Sequence, residues 1–167
     1  MPTSSVGRIN NRLPASAGVT LIEMVVVVAL ISLMVGISFP AITSGIDSLR
    51  LNAATNSIVN FFNTGLSRAE RRQQVVEITI LKARNAFEMR SSEPGFVRTL
   101  AMPEGVSISA VLPQVLDQLE DAPRTFLLYP GGAVPPFGVQ VLNRRNVQRI
   151  VRIDPITGVP RTEAVKQ

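Results

Sequence analysis

The stretch Gly18-Val19-Thr20-Leu21-Ile22-Glu23, followed by the uncharged run Met24 to Ile46, decides how the rest of this chain is read. That run is 23 residues long and contains Val25-Val26-Val27-Val28, Leu30-Ile31, Leu33-Met34-Val35 and Ile37. A helix rises ~1.5 Å per residue, so about 20 apolar residues cross the hydrocarbon of a bilayer. The segment therefore predicts a membrane-spanning helix. Upstream, Met1 to Gly18 carries Arg8 and Arg12 and no acid, which predicts a cytoplasmic N-terminus with the remainder across the membrane. A secretory signal offers a second reading, with Pro40 to Gly45 as a weak cleavage site. Against it, the run exceeds the ~7–15 apolar residues of a signal core. Glu23 also stands at its edge, and an ionisable group in such a segment carries a functional hypothesis by default.

Composition limits the chemistry. The chain has 167 residues, no His, no Cys and no Trp, and 46% hydrophobic residues against 17% charged. Without His or Cys it builds no Ser-His-Asp or Cys-His nucleophile, no His/Cys zinc site and no disulfide. Mean hydropathy is +0.25, concentrated in the apolar run. The twelve acids are scattered, and no spacing singles out a catalytic pair. Asp117, Glu120 and Asp121 fall short of the six to eight oxygens calcium wants and read as a solvated turn. No cofactor and no metal is expected.

Beyond Ile46 the pattern turns amphipathic. Leu51, Ala54, Ile58, Phe61 or Phe62, Gly65 or Leu66, and Ala69 recur at three- and four-residue steps, predicting a helix to about Arg72 with one face on a sheet. Arg68, Arg71 and Arg72 suit its C-terminal end. Strands are expected over Val75–Leu81, Ala86–Arg90, Phe96–Met102, Gly105–Val111 and Arg124–Tyr129. A hairpin of Phe137–Asn143 and Gln148–Asp154 follows across Arg144-Arg145-Asn146-Val147. Leu112 to Ala122 is ambiguous between loop and helical turn. The segment after Val159 reads as a loose polar tail.

Gly18-Val19-Thr20-Leu21-Ile22-Glu23, with the basic leader, the apolar run and Pro40, resembles the prepilin processing motif of type IV pilins and type II secretion pseudopilins. The resemblance implies peptidase cleavage between Gly18 and Val19 and N-methylation of Val19, where the family usually has Phe. Glu23 then stands at the family's acidic position, the fifth after the cut, and implies a role in filament assembly. Its carboxylate is expected to pair with the new amine of Val19 in a neighbouring subunit, because a desolvated charge is retained when matched. Gly36 and Pro40 loosen or kink the helix.

The implied plan is α+β and pilin-like: residues 1–18 a prepilin leader, 19–42 a transmembrane and filament-core helix, 43–72 the amphipathic second half of the helix, 73–160 an antiparallel β-rich periplasmic domain, and 161–167 a polar tail. Leu49-Arg50, Ala53-Ala54, Arg68-Ala69, Gln73 to Leu81, Phe126 to Gly132, and Arg149 to Asp154 with Thr157-Gly158 resemble the H-type minor pseudopilin and related minor-pilin group (GspH/FimT-like). Gly131 departs from that group's usual Asp or Asn. The function this implies is a structural one, without enzymatic activity: a minor pseudopilin of a type II secretion system, in the bacterial inner membrane and then in the pseudopilus. Its partners would be prepilin peptidase, other pseudopilins or pilins, inner-membrane lipid and the assembly platform. The alternative is a minor type IV pilin that acts in pilus assembly or DNA uptake. Arg144, Arg145, Arg149 and Arg152 are candidate polyanion contacts, although a solvated hairpin without interleaved aromatics is favoured. Loss of the leader removes Arg8 and Arg12, leaving 15 Lys+Arg against 12 acids, or +3. Nucleic acid is thus a disfavoured partner.

Overall fold

The computed structural model describes residues 18–93, 95–115, 121–132, 134–154 and 156–165, without the side chains of 39–44. The long helix α1 spans Leu21–Arg72. The chain divides into a unit ending at Ala41 and a second unit from Ile42 onward. In the first unit, Leu21–Ser38 is long and apolar enough to cross a membrane, and none of it is buried within the protein. Val25 to Val28, Leu30, Ile31 and Leu33 all stand exposed, as side chains meant for lipid or for other helices would.

The second unit contains the amphipathic part of α1 and eight strands: β1 (Val76–Leu81), β2 (Ala86–Ser91), β3 (Val97–Ala101), β4 (Val106–Leu112), β5 (Arg124–Leu128), β6 (Gly138–Asn143), β7 (Gln148–Ile153) and β8 (Pro160–Ala164). They form two four-stranded antiparallel sheets rather than one, in the orders β3-β2-β1-β5 and β4-β6-β7-β8. One hydrophobic core joins them. Leu51, Ala54, Ile58, Phe61, Phe62 and Ala69 come from α1, and Val76, Ile78, Ile80, Phe87 and Met89 from the first sheet. Val106, Ile108, Val139, Val141, Val151 and Ile153 come from the second. Phe62 packs edge-on to both Phe87, at 6.0 Å, and Phe137, at 5.1 Å. Phe137 in turn stacks on Phe126 at 4.2 Å. Such aromatic pairs add to area burial.

Two glycines set close approaches. A Cβ at Gly65 would lie 3.1 Å from the ends of Ile78 and Met89, so helix and first sheet meet there. A Cβ at Gly138 would lie 2.8 Å from the carbonyl oxygen of Val151, so β6 and β7 need glycine at that register position. In β4 the register shifts between Ile108 and Ala110. The extra residue, Ser109, donates its hydroxyl to the carbonyl of Gln140 at 3.0 Å. The bulge returns Val111, rather than Ala110, to the buried side.

The C-terminal segment differs from the loose tail expected after Val159. Residues 160–164 pair along β7 as the edge strand β8. Its sequence, Pro-Arg-Thr-Glu-Ala, buries only Pro160 and has no apolar alternation to announce a strand. What places it is the preceding turn. Asp154 Oδ1 accepts the N–H groups of Ile156, at 2.9 Å, and Thr157, at 3.2 Å, and Gly158 takes positive φ. The charged residues of β8 also suit an edge. The ambiguous stretch Leu112 to Ala122 contains residues 116–120, which lie outside the described residues.

Candidate functional site: the helix start and the charged strand pair

Gly18, Val19 and Thr20 are exposed and outside regular structure, and α1 begins at Leu21. The sequence explains the boundary. Thr20 and Glu23 have the Ser/Thr-x-x-Glu spacing of a helix N-cap. The N–H of Glu23 donates to Thr20 Oγ1 at 3.3 Å, and that of Met24 donates to the Thr20 carbonyl at 3.2 Å. The backbone between Gly18 and Val19 therefore stays open while the helix begins two residues later. Glu23 lies in the first helical turn, where a carboxylate is favoured by the helix dipole. Gly36 and Pro40 both lie within α1, and a Cβ at Gly36 would meet nothing within 4 Å. The side chain of Pro40 lies outside the described residues.

The four candidate arginines of the hairpin do not share one face. Arg144 and Arg145 are exposed in the turn after β6. Arg144 pairs with Glu104 and Arg152 with Glu163. Arg149 alternates in phase with the buried Val151 and Ile153, on the side opposite Arg152. Arg161 stands 3.8 Å from Asp154. Elsewhere in the domain, Arg68 of α1 pairs with Glu93 at 2.5 Å and lies over the ring of Phe96 at 3.5 Å. That ties the helix end to the loop before β3. Asp121, from the expected acidic turn, stands 3.4 Å from Lys82. Asp117 and Glu120 lie outside the described residues, and among the described residues no cluster of acids could hold a metal ion.

Two carboxyl groups report how β8 is held. The Arg152 hydrogen bond holds Glu163 below its ordinary range, and the N–H groups of Ile156 and Thr157 do the same for Asp154. Groups with lowered folded-state values stabilise fully above their unfolded values, ~4, and lose that contribution as pH falls through the lower folded ones. The Arg152 guanidinium is correspondingly raised, mainly by Glu163, and stays charged throughout this window. Hydrogen-exchange protection of the β8 amides should therefore be flat from pH 7 to 5 and fall a few-fold by pH 3. Amides of β6, between two strands, should hold theirs over the same range.

Two residues have structural roles beyond those expected of them from the sequence: Thr20, so far only a letter of the motif, and Asn85. Thr20 carries a signal, the Thr-x-x-Glu spacing. Asn85 has none beyond a turn preference. It sits in left-handed conformation at φ 51° after a 3-10 turn over Lys82–Arg84. Its Nδ2 donates to the Val106 carbonyl at 2.7 Å, and its Oδ1 accepts the N–H of Ile108 at 2.9 Å. Its own carbonyl accepts the N–H of Met102 at 3.0 Å. It thus fastens the β1–β2 hairpin of one sheet to β4 of the other.

An apolar, fully exposed helical span, joined in sequence to a helix packed on antiparallel sheets, is the plan of a pilin-like α+β fold. Comparison with known families agrees: residues 13–39 match the model of the prokaryotic N-terminal methylation motif. Among solved structures, the fold is similar to that of the minor pseudopilin EpsH from the Type 2 Secretion System of Vibrio cholerae, with 14% identity and a TM-score of 0.51. The similarity covers 68% of this chain and 95% of that one. No curated protein matches the chain in sequence.

Proposed function

We propose that this chain is a minor pseudopilin, a structural subunit of the periplasmic pseudopilus in type II protein secretion. The observation that carries the reading is the methylation motif at residues 13–39, set on an 18-residue apolar span with no part buried in its own protein. Such a surface is stable in lipid or among other apolar helices, not in water. In this reading the precursor sits in the bacterial inner membrane as a single-pass protein, with a cytoplasmic N-terminus and a periplasmic β-domain. Prepilin peptidase hydrolyses the Gly18–Val19 amide, leaving a carboxylate on Gly18 and an amine on Val19. The amine then takes a methyl group from a methyl donor and releases a proton. The subunit leaves the bilayer by exchanging lipid for the apolar helices of other pseudopilins, which leaves little net hydrophobic cost. Gly36 and Pro40 loosen the helix for that exchange. Glu23 neutralises a neighbouring amine. The subunit does no chemistry of its own.

The chain lacks cysteine, so a single introduced cysteine reports contacts without background. Leu30→Cys, produced in cells with a working secretion system and alkylated there with a maleimide that carries a photoreactive group, should form light-induced cross-links to other pseudopilins only when prepilin peptidase is present. Peptidase-independent cross-linking, or none in an active system, would contradict the reading.

A further inference from the structure

We infer that Thr20 is a positioning residue for processing: its hydroxyl caps α1 and keeps the Gly18–Val19 peptide out of the helix, where a peptidase can reach it. The inference rests on the proposed processing at that bond and adds a residue to it.

The helix stops short of the scissile bond by two residues. A helix start leaves four N–H groups without intrahelical partners, and the cost of leaving them bare rises in an apolar surrounding. Two responses are available. The helix can be capped, or it can extend backward and collect carbonyls from the preceding residues. Those residues, Ala15-Ser16-Ala17-Gly18-Val19, contain no proline to stop such an extension; the nearest upstream is Pro14. Capping wins here because Thr20 Oγ1 accepts the N–H of Glu23 while the Thr20 carbonyl accepts that of Met24. The result is a non-helical, exposed Gly18-Val19-Thr20 segment. An amide locked in a helical turn has its carbonyl bonded down the helix and its faces covered by neighbouring side chains. Hydrolysis adds water across that carbonyl and expels the Val19 amine, so the turn must first open. Removing the cap charges that opening to the cleavage rate.

The test is a kinetic series on the full-length precursor in membranes with a prepilin peptidase. Thr20→Ala couples a poor cap to the best helix former, and should slow cleavage about fivefold or more. Thr20→Ser and Thr20→Asn keep a capping oxygen and should cleave within about twofold of the parent. Thr20→Val keeps the shape without the acceptor and should fall below both. The loss should appear in the turnover of saturated peptidase, and amides of residues 18–20 should gain hydrogen-exchange protection in Thr20→Ala. Direct recognition of the side chain by the peptidase gives the opposite order, with Val cleaved like Thr and Asn slow, and would overturn the inference. So would equal rates for Ala and the parent. If the parent itself is not cut at Gly18–Val19, it is the proposed function that fails.

Discussion

Glu23→Ala should be processed at Gly18–Val19 like the parent and yet fail to enter filaments. The proposed cleavage would create a positive amine on Val19, four residues before Glu23. In water that amine needs no partner. In a filament core built from apolar helices it does, and a buried pair that loses one member costs roughly 3–5 kcal/mol. At ~1.4 kcal/mol per factor of ten, incorporation should fall by roughly two to four orders of magnitude. Glu23→Gln keeps the volume and loses the charge, so it should fail nearly as badly, whereas Glu23→Asp should retain a part. The N–H of Glu23, not its carboxylate, makes the contact to Thr20, so the cap survives all three substitutions. The check is quantitative blotting of membrane and sheared-filament fractions, with the N-terminus sequenced in each. Normal incorporation of Glu23→Ala would end the pairing argument.

Asn85→Ala should be the most damaging single change in the β-domain outside its apolar core. It strands the Val106 carbonyl and the Ile108 N–H of β4, each losing a partner at 2.7–2.9 Å. An unsatisfied polar group in a protein interior costs about 1–3 kcal/mol. The substitution also puts alanine at φ 51°, which asparagine tolerates better. Together these predict a loss of about 3–5 kcal/mol, read by urea unfolding of the purified chain in detergent. Asn85→Gly separates the causes, since it relieves the backbone and still lacks both hydrogen bonds. It should recover about 1 kcal/mol. Asn85→Asp keeps the acceptor alone and should fall between Gly and the parent. If alanine and parent unfold at the same urea concentration, the two sheets are not held together at this residue.

What the sequence makes legible follows from what is local. The apolar span, the amphipathic turns from Leu51 to Ala69 and the β6–β7 hairpin each write their period into neighbouring residues. The structure returns them close to where they are read. Pairing between distant strands is not written that way. β5 joins β1 across 46 residues, as in the hydroxyl contact of Thr79 with Thr125 at 3.0 Å. Alternation in Arg124 to Leu128 marks a strand without naming its neighbour, so one sheet and two sheets look alike. β8 is hidden for a different reason. It is held by ladder hydrogen bonds and by charges such as Arg152 and Glu163, and polar residues at an edge resemble a tail. At the helix start the signal is present in the residues, since Thr20 and Glu23 have cap spacing. The same letters also serve the processing motif, which masks their structural meaning. The hairpin arginines show the limit of counting charge. Four lie close in sequence, but strand alternation and the acids Glu104 and Glu163 distribute them.

The proposed prepilin-type precursor has one covalent fate. Intact mass and N-terminal analysis of the chain, produced with and without a prepilin peptidase, reads it directly. The account predicts a peptidase-dependent product that begins at N-methylated Val19. A chain that keeps its first 18 residues in the presence of active peptidase, or one that begins near Ala41 or Gly45 without it, would contradict the account.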